Sequence, residues 1–227
     1  MGRSIRAISQ DRSLGRPPVT ALAAFGAAVL LFLSGCSDAP PGNVQAADRE
    51  QRLADLKRLA AQDADESLAA LLDASGDEDE TVARAAVRMA GQRGGREAVP
   101  NLRVVAAKDA RSAVREEAVL QLSRTADAGA LDFLKGLLRQ DLDPRVRAAA
   151  ATAIGRLGGW QDTSLLADIA ETDPSPRVRS RAVGAIESIA RVEFRYDPGA
   201  SPVEQRLALA RVRRWVDGTG EDDGERP

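Results

Sequence analysis

Apolar and polar positions along the chain repeat with a spacing of 32 residues. Valine occupies one such column, at Val82, Val114, Val146 and Val178. Alanine occupies a second column in the same register, at Ala86, Ala118, Ala150 and Ala182. A polar column keeps the same step, at Asp77, Asp109, Asp141 and Asp173. Because several columns stay in register over four units, the pattern indicates a tandem repeat.

Each unit contains two stretches in which apolar residues recur at helical spacing. Asp79, Asp143 and Ser175 stand where the first helix of a unit begins, and such residues are preferred N-caps. Pro144 and Pro176 fall at the first helical position, where the missing N–H costs nothing. The sequence therefore predicts a first helix starting near residues 79, 111, 143 and 175.

The ends of these helices are also visible in the sequence. Gly94 and Gly158 each open a glycine pair at the end of a first helix, as expected for a C-terminal cap. Arg111 replaces the N-cap residue in one unit, so we expect that helix to have the least defined start. Two short helices per unit cannot bury their apolar faces alone. The fold class expected is all-α, a right-handed α-solenoid of about five helical hairpins.

The repeats predict the boundaries of the folded part. We expect a repeat domain over residues 48–217, with a degenerate N-terminal repeat over 48–76 and regular repeats over 77–190. A C-terminal cap follows over 191–217 and includes a longer helix from Ser201 to Asp217, with Phe194, Tyr196 and Trp215 covering the end of the core. Residues 218–227 are predicted to be a disordered acidic tail.

The stretch "DLDPRVRAAAATAIGRLGG" matches a known repeat signature almost throughout. It resembles the HEAT-like repeats first recognised in phycobilisome lyases, which carry Asp, Pro-x-Val-Arg, a small-residue stripe and a glycine turn. The resemblance covers about residues 77–190. It implies a helical solenoid in which the repeated Asp and Arg residues pair between neighbouring units.

The first 35 residues have the pattern of an export signal. A positive leader precedes an apolar stretch over 19–33, which is short for a membrane span. The following Leu33-Ser34-Gly35-Cys36 resembles the lipobox of bacterial lipoproteins. The resemblance implies cleavage before Cys36, which is the only cysteine in the chain, and attachment of lipid to it. An uncleaved signal anchor and a buried core helix are the alternatives.

The same resemblance predicts where the mature protein resides. Residues 36–47 lack an apolar period and are expected to form a flexible tether behind the lipidated Cys36. Ser37, rather than Asp, follows the acylated cysteine, which favours the periplasmic face of the outer membrane over the inner membrane. Asp38 one place further weakens that preference.

Composition argues against most catalytic chemistry. The chain has no histidine, and its one cysteine is assigned to the anchor, so imidazole and thiolate systems are excluded. The acidic run over 77–80 lacks the ligand spacing of a dedicated calcium loop. A formal net charge of −2 gives no general case for nucleic acid. We expect no catalytic residues, no metal site and no cofactor.

Two features remain as candidate sites. Arg115, Arg147 and Arg179 form another column, with Arg84 displaced by one place. This column is interpreted as a structural ladder with the Asp column, in which Arg147 pairs with an Asp of an adjoining turn, such as Asp109 or Asp141. An anion-binding stripe is the alternative. Trp160 directly follows a glycine turn, and it is either a contact for a partner or packed over that turn.

These expectations define a function class. A short solenoid offers large faces and no catalytic pocket of its own. The leading hypothesis is a membrane-anchored, non-catalytic scaffold that binds another protein of the cell envelope. The alternatives are a chromophore (bilin) lyase-like enzyme, by the same resemblance, or a chaperone with a repeat-lined binding face.

Overall fold

The computed structural model describes residues 41–62, 65–125 and 128–218, and in these ranges every regular element is helical. The ten α-helices are α1 (Pro41–Ala61), α2 (Asp65–Asp73), α3 (Glu80–Gly94), α4 (Val99–Lys108), α5 (Ser112–Leu122), α6 (Ala128–Gln140), α7 (Pro144–Leu157), α8 (Thr163–Thr172), α9 (Pro176–Ala190) and α10 (Pro202–Asp217). Short 3₁₀ turns precede α3, at Ala74–Gly76, and α8, at Trp160–Asp162.

The helices form two layers of consecutive hairpins. In the first layer, α1, α3, α5, α7 and α9 each pack on the next one. The second layer contains α2, α4, α6, α8 and α10, and each of the first four packs against helices of the first layer. This arrangement confirms the prediction of an all-α solenoid with five hairpins.

Local capping explains where the first-layer helices begin. The Asp79 carboxylate accepts hydrogen bonds from the N–H groups of Thr81 and Val82 at the start of α3. The Asp143 carboxylate accepts one from the N–H of Arg145 at the start of α7. These bonds satisfy donors that a helix cannot satisfy internally. Asp79 and Asp143 therefore cap the helices as predicted, whereas Ser175 stands at the N-cap of α9 without a side-chain cap hydrogen bond.

Small residues set the distance between first-layer helices. Gly155 of α7 lies so close to α9 that an added Cβ would be 2.7 Å from the Cα of Ala185. Ala150 and Ala182, from the alanine column, are fully buried. Because no large side chain separates the helices, their backbones approach closely.

The core follows the repeat. One cluster of buried residues runs from α3 to α10 and includes Leu102, Leu134 and Leu166, which lie 32 residues apart. A smaller cluster joins α1 and α2 to α3 through Leu56 and Leu71. Each hairpin therefore shares its apolar side chains with its neighbours, as a solenoid requires.

The C-terminal segment covers the last hairpin. Ser201 caps α10 through its hydroxyl, which accepts from the N–H of Glu204, and the Glu204 carboxylate accepts from the N–H of Ser201. Buried Phe194 packs edge-to-face on Trp215, with ring centroids 5.3 Å apart. Tyr196 also packs against the core cluster.

One boundary differs from its prediction. Helix α1 begins at Pro41, so residues 41–47, predicted as part of a flexible tether, are helical. The sequence signal was misleading because α1 has no strong apolar period in its first two turns. Cys36, the signal over 1–35 and most of the tail over 218–227 lie outside the described residues. In the described part, no helix is both long and apolar enough to cross a membrane.

Candidate binding surface

A ladder of ion pairs runs along the turns that lead from each second-layer helix to the next first-layer helix. Arg115 of α5 donates from Nε and Nη2 to the two carboxylate oxygens of Asp141, at 3.0 and 2.9 Å. Arg147 of α7 makes the same two bonds to Asp173, at 2.8 and 3.0 Å. Bidentate pairs of this kind fix both distance and orientation. Each pair therefore ties a first-layer helix to the turn of the next unit.

Each guanidinium also contacts the turn of its own unit. Arg115 donates from Nη1 to the carbonyl oxygen of Asp109 at 2.9 Å. Arg147 does so to Asp141 at 2.9 Å, and Arg179 to Asp173 at 3.1 Å. One arginine thus bridges two successive turns. The turns are separated by one repeat, so the bridge fixes the stacking register.

The aspartates of the column shape their own turns as well. In each unit a carboxylate oxygen accepts from the backbone N–H two residues further on, at 2.8 Å. These bonds join Asp77 to Asp79, Asp109 to Arg111, Asp141 to Asp143 and Asp173 to Ser175. The carboxylate is therefore already oriented when the arginine binds it.

Arg147 pairs with an Asp of an adjoining turn, as expected, but that residue is neither Asp109 nor Asp141. The carboxylate partner of Arg147 is Asp173 of the following unit, and Asp141 contributes only a backbone carbonyl. Asp109 pairs with Arg111 instead. The sequence could not decide between preceding and following turns, because the column keeps the same spacing in both directions.

Helix α3 has no arginine in the ladder column, and Arg111, at the start of α5, forms the missing ion pair instead. The position in α3 equivalent to Arg115 is Ala83, which is fully buried. Arg111 donates from Nε and Nη2 to the Asp109 carboxylate, at 3.0 and 2.8 Å, and from Nη1 to the carbonyl of Asp77. It therefore bridges the same two groups from a different place in the chain. These hydrogen bonds hold the pKa of Asp109 below its usual value, although burial opposes the shift.

Arg84 lies apart from the ladder. Its guanidinium is 4.0 Å from the carboxylate of Glu117, on the neighbouring helix α5. Arg84 stands one place after the ladder position of α3, and its guanidinium therefore lies near α5 rather than near the inter-helix turns.

The ladder continues into both end units. Arg52 of α1 donates to both carboxylate oxygens of Asp77, at 3.0 and 3.1 Å. At the other end, Arg179 donates to Oε1 of Gln205 at 3.5 Å. Gln205 lies 32 residues after Asp173 and therefore occupies the next place in the column. Sequence reasoning missed both residues, although the step of 32 could have found Gln205.

A groove of about 530 Å³ opens beside the ladder, between α4 and α6. The Arg115–Asp141 pair lines it on one side, and half-buried Phe133 and Leu137 form an apolar wall. Leu142, at its rim, is 94% exposed. Such exposure of a large apolar side chain, next to an apolar wall, is a feature of binding surfaces.

Basic side chains flank this groove. The Arg103 guanidinium lies 5.1 Å from the centre of the Phe133 ring. Lys108 and Arg139 are exposed at the ends of α4 and α6, and neither forms an ion pair with another described residue. The nearby carboxylates of Asp109 and Asp141 are already paired. The groove therefore combines an apolar wall with the paired charges of the ladder, and Lys108 and Arg139 are exposed next in sequence to residues that line it.

A family comparison agrees with this architecture. The model of a family described as HEAT repeats matches in three overlapping windows, residues 43–123, 66–151 and 103–187. Together they span residues 43–187, which is more than half of the chain. The chain belongs to the HEAT-repeat family. A comparison with curated proteins gives no match.

HEAT repeats make this chain a helical repeat scaffold suited to protein interaction. The windows include the degenerate first repeat, α1 and α2, as well as the regular ones. They end at residue 187, before the C-terminal cap.

Trp160, predicted as a possible partner contact, sits where the HEAT repeats meet the C-terminal cap. Its ring lies edge-to-face on Trp215, with centroids 4.7 Å apart, and it is 37% exposed. Trp160 thus packs on the C-terminal cap and is still accessible, and its role as a partner contact stays a prediction. The groove between α4 and α6 offers the more exposed apolar surface.

A buried carboxylate joins two of the HEAT repeats. Glu117 of α5 is only 4% exposed, and Arg88 of α3 donates to both of its oxygens, at 3.1 and 2.7 Å. Gln121 donates to it at 2.9 Å. Burial opposes the negative charge, but these hydrogen bonds outweigh it and lower the pKa of Glu117. Glu117 and Arg88 belong to no column that recurs with the step of 32, so no signal in the sequence pointed to this cluster.

The acidic run over 77–80 is used within the fold. Asp77 pairs with Arg52, and Asp79 caps α3. Among the described residues, no group of three or more His, Cys, Asp or Glu side chains is placed to hold a metal ion.

Proposed function

We propose that this protein is a lipid-anchored, non-catalytic scaffold of the cell envelope, which binds another envelope protein in the groove between α4 and α6. The observation that carries the proposal is the groove itself. It combines an apolar wall with the almost fully exposed Leu142 beside an ordered ladder. The absence of histidine from the sequence supports the non-catalytic part.

The chemistry of the groove suggests what a partner presents. Phe133, Leu137 and Leu142 suit an apolar side chain. Lys108 and Arg139 are exposed, each next in sequence to a residue that lines the groove, and suit carboxylates of a partner. We therefore expect the partner to insert a bulky apolar residue from an acidic segment.

The partner is tested by crosslinking in intact membranes, followed by purification and mass spectrometry. Leu142→Asp places a negative charge at the rim and should abolish recovery of the partner. Val203→Asp is the matched control, because Val203 is also an exposed apolar residue, 56% exposed on α10, away from the groove. If both variants recover the same proteins as the wild type, the groove does not bind the partner.

The anchor is tested separately. Lipidation at Cys36 predicts an intact mass that corresponds to residues 36–227 plus the acyl groups, and recovery with outer-membrane fractions. Cys36→Ser should release the chain from membranes under high salt. An unmodified Cys36, or recovery with inner membranes only, would contradict the anchor or its location respectively.

A further inference from the structure

The two layers of the solenoid differ in charge. Helices α3, α5, α7 and α9 of the first layer contain ten arginines and four glutamates. Helices α2, α4, α6, α8 and α10 of the second layer contain eight basic and eight acidic residues. The chain as a whole has a formal net charge of −2. Positive charge is therefore concentrated in one layer of an otherwise acidic protein.

Part of this charge forms a continuous surface. Three of the ten arginines belong to the ladder, at the edge of the layer. Six others recur at one-turn or three-turn spacing, which places those of one helix on the same side of it, and five of the six are exposed. We call this surface the arginine face, and it consists of Arg84, Arg88, Arg145, Arg156, Arg177 and Arg181.

One contact joins side chains of two first-layer helices across a third. Arg177 of α9 donates to Glu116 of α5 at 3.3 Å, across the intervening helix α7. Beneath this bridge, Ala148 and Ala149 of α7 are 2% and 6% exposed. Side chains from alternate first-layer helices therefore meet over α7, and the surface is continuous from α5 to α9.

The carboxylates on this face are mostly engaged. Glu116 pairs with Arg177, and Glu117 pairs with Arg88. Arg145, Arg156 and Arg181 are exposed, and none forms an ion pair with another described residue. The face thus presents unneutralised positive charge to the solvent.

We propose that the arginine face lies on an anionic phospholipid surface, an inference that rests on the lipid anchor proposed above. Cys36 precedes the start of α1 by five residues, a span of at most about 18 Å. Helix α1 belongs to the first layer, so the anchor joins the layer that carries the arginine face. Basic side chains near such a surface are attracted to its phosphate groups. The groove in the second layer then points away from the lipid, toward a partner.

The test uses the chain from residue 36 with Cys36→Ser, so that no acyl chain contributes. It contains every described residue. Binding is measured by flotation with vesicles of phosphatidylglycerol and phosphatidylcholine in equal parts, and with vesicles of phosphatidylcholine alone. We expect at least about tenfold stronger binding to the anionic vesicles, and a decrease as salt is raised.

Two double variants with the same charge change separate the faces. Arg145→Glu with Arg181→Glu should lower binding to the anionic vesicles about tenfold or more. Arg206→Glu with Arg211→Glu, both exposed on α10 of the second layer and outside the groove, should leave it unchanged. Circular dichroism and the unfolding midpoint establish that both variants are folded.

Several results would overturn the inference. The inference is wrong if the protein binds both kinds of vesicle equally well. It is also wrong if both double variants lose the same amount of binding to the anionic vesicles. Binding to soluble poly-glutamate but not to anionic vesicles would assign the face to an acidic protein instead. Because the acyl chain is absent here, a failure leaves the mass of the mature chain as an independent test of the anchor.

Discussion

Arg111 and Asp109 form a bidentate ion pair within a single turn, and this pair stands in for an arginine that helix α3 lacks. The other regular units place that arginine on the first-layer helix before the turn. Arg111 reaches the same carboxylate, and also the carbonyl of Asp77, from the place of an N-cap residue. The ladder is therefore preserved, although residue 83 is Ala in place of the usual arginine and residue 111 is Arg in place of the usual cap residue.

This substitution predicts a rescue. Arg111→Asp restores the usual cap residue but removes the guanidinium that the Asp109 carboxylate accepts from, and should lower the free energy of unfolding by about 3 kcal/mol. Adding Ala83→Arg places a guanidinium at the position equivalent to Arg115 and should recover most of this loss. Urea denaturation of both variants measures the effect. If the second change destabilises further, the two positions are not interchangeable.

Close helix packing predicts opposite effects for two glycines. Gly155→Ala would place a Cβ 2.7 Å from the backbone of α9 and should lower the free energy of unfolding by about 1–3 kcal/mol. Gly184→Ala, within α9, meets nothing within 4 Å and should raise it by about 0.5–1 kcal/mol. Thermal unfolding distinguishes the two. Equal shifts would mean that Gly155 does not set the distance between α7 and α9.

The buried Glu117 predicts a pH dependence. Its pKa in the folded protein lies below the ordinary value of 4.5, so its ionised form stabilises the fold. This contribution is complete above about pH 4.5 and is lost as the pH falls through the folded-state pKa. Glu117→Gln should therefore cost about 2 kcal/mol at neutral pH and progressively less in acid.

Unfolding midpoints of the wild type and Glu117→Gln, measured from neutral pH to pH 3, check this expectation. The pKa of Asp109 is also lowered, but Asp109 is present in both proteins. Its contribution therefore cancels in the difference between their unfolding midpoints. A difference that stays constant over the whole range would show that the Glu117 charge contributes nothing.

Much of the fold could be predicted from the sequence because each repeat carries the same local signals. Asp79, Asp143 and Ser201 mark helix starts that the structure reproduces. Glycine at residues 94–95 marks the end of α3, where Gly95 has a positive φ of 48°. These signals act within a few residues of chain, and sequence displays them directly.

Contacts between units were harder to predict. The pairing of Arg147 with Asp173 rather than Asp141 depends on the direction in which the side chain leaves its helix. The groove near Phe133 depends on which residues of α4 and α6 are left uncovered. Both are consequences of packing between helices, and a periodic column contains no information about direction.

The start of α1 was missed for a different reason. The sequence over 41–47 has no apolar period, and it follows a proline-rich stretch typical of a tether. The structure extends α1 back to Pro41, a residue that suits the first position of a helix.

Stacking of the hairpins in a fixed register is the central claim, because the groove and the arginine face both depend on it. The pair that carries this claim most directly is Arg147–Asp173, in which the two side chains are only 12% and 4% exposed. Removing one partner of such a pair leaves a buried group unsatisfied. Arg145→Ala, on the same helix but exposed, is the matched control.

A double-mutant cycle of Arg147→Ala and Asp173→Ala, followed by urea denaturation, is the most direct measurement. Each single variant should lose about 3 kcal/mol of unfolding free energy, and Arg145→Ala should lose less than about 0.5 kcal/mol. The double variant should lose little more than the worse single variant, which corresponds to a coupling of about 3 kcal/mol. Losses that simply add, or a small loss for Arg147→Ala equal to that for Arg145→Ala, would contradict the ladder as the element that holds the repeats in register.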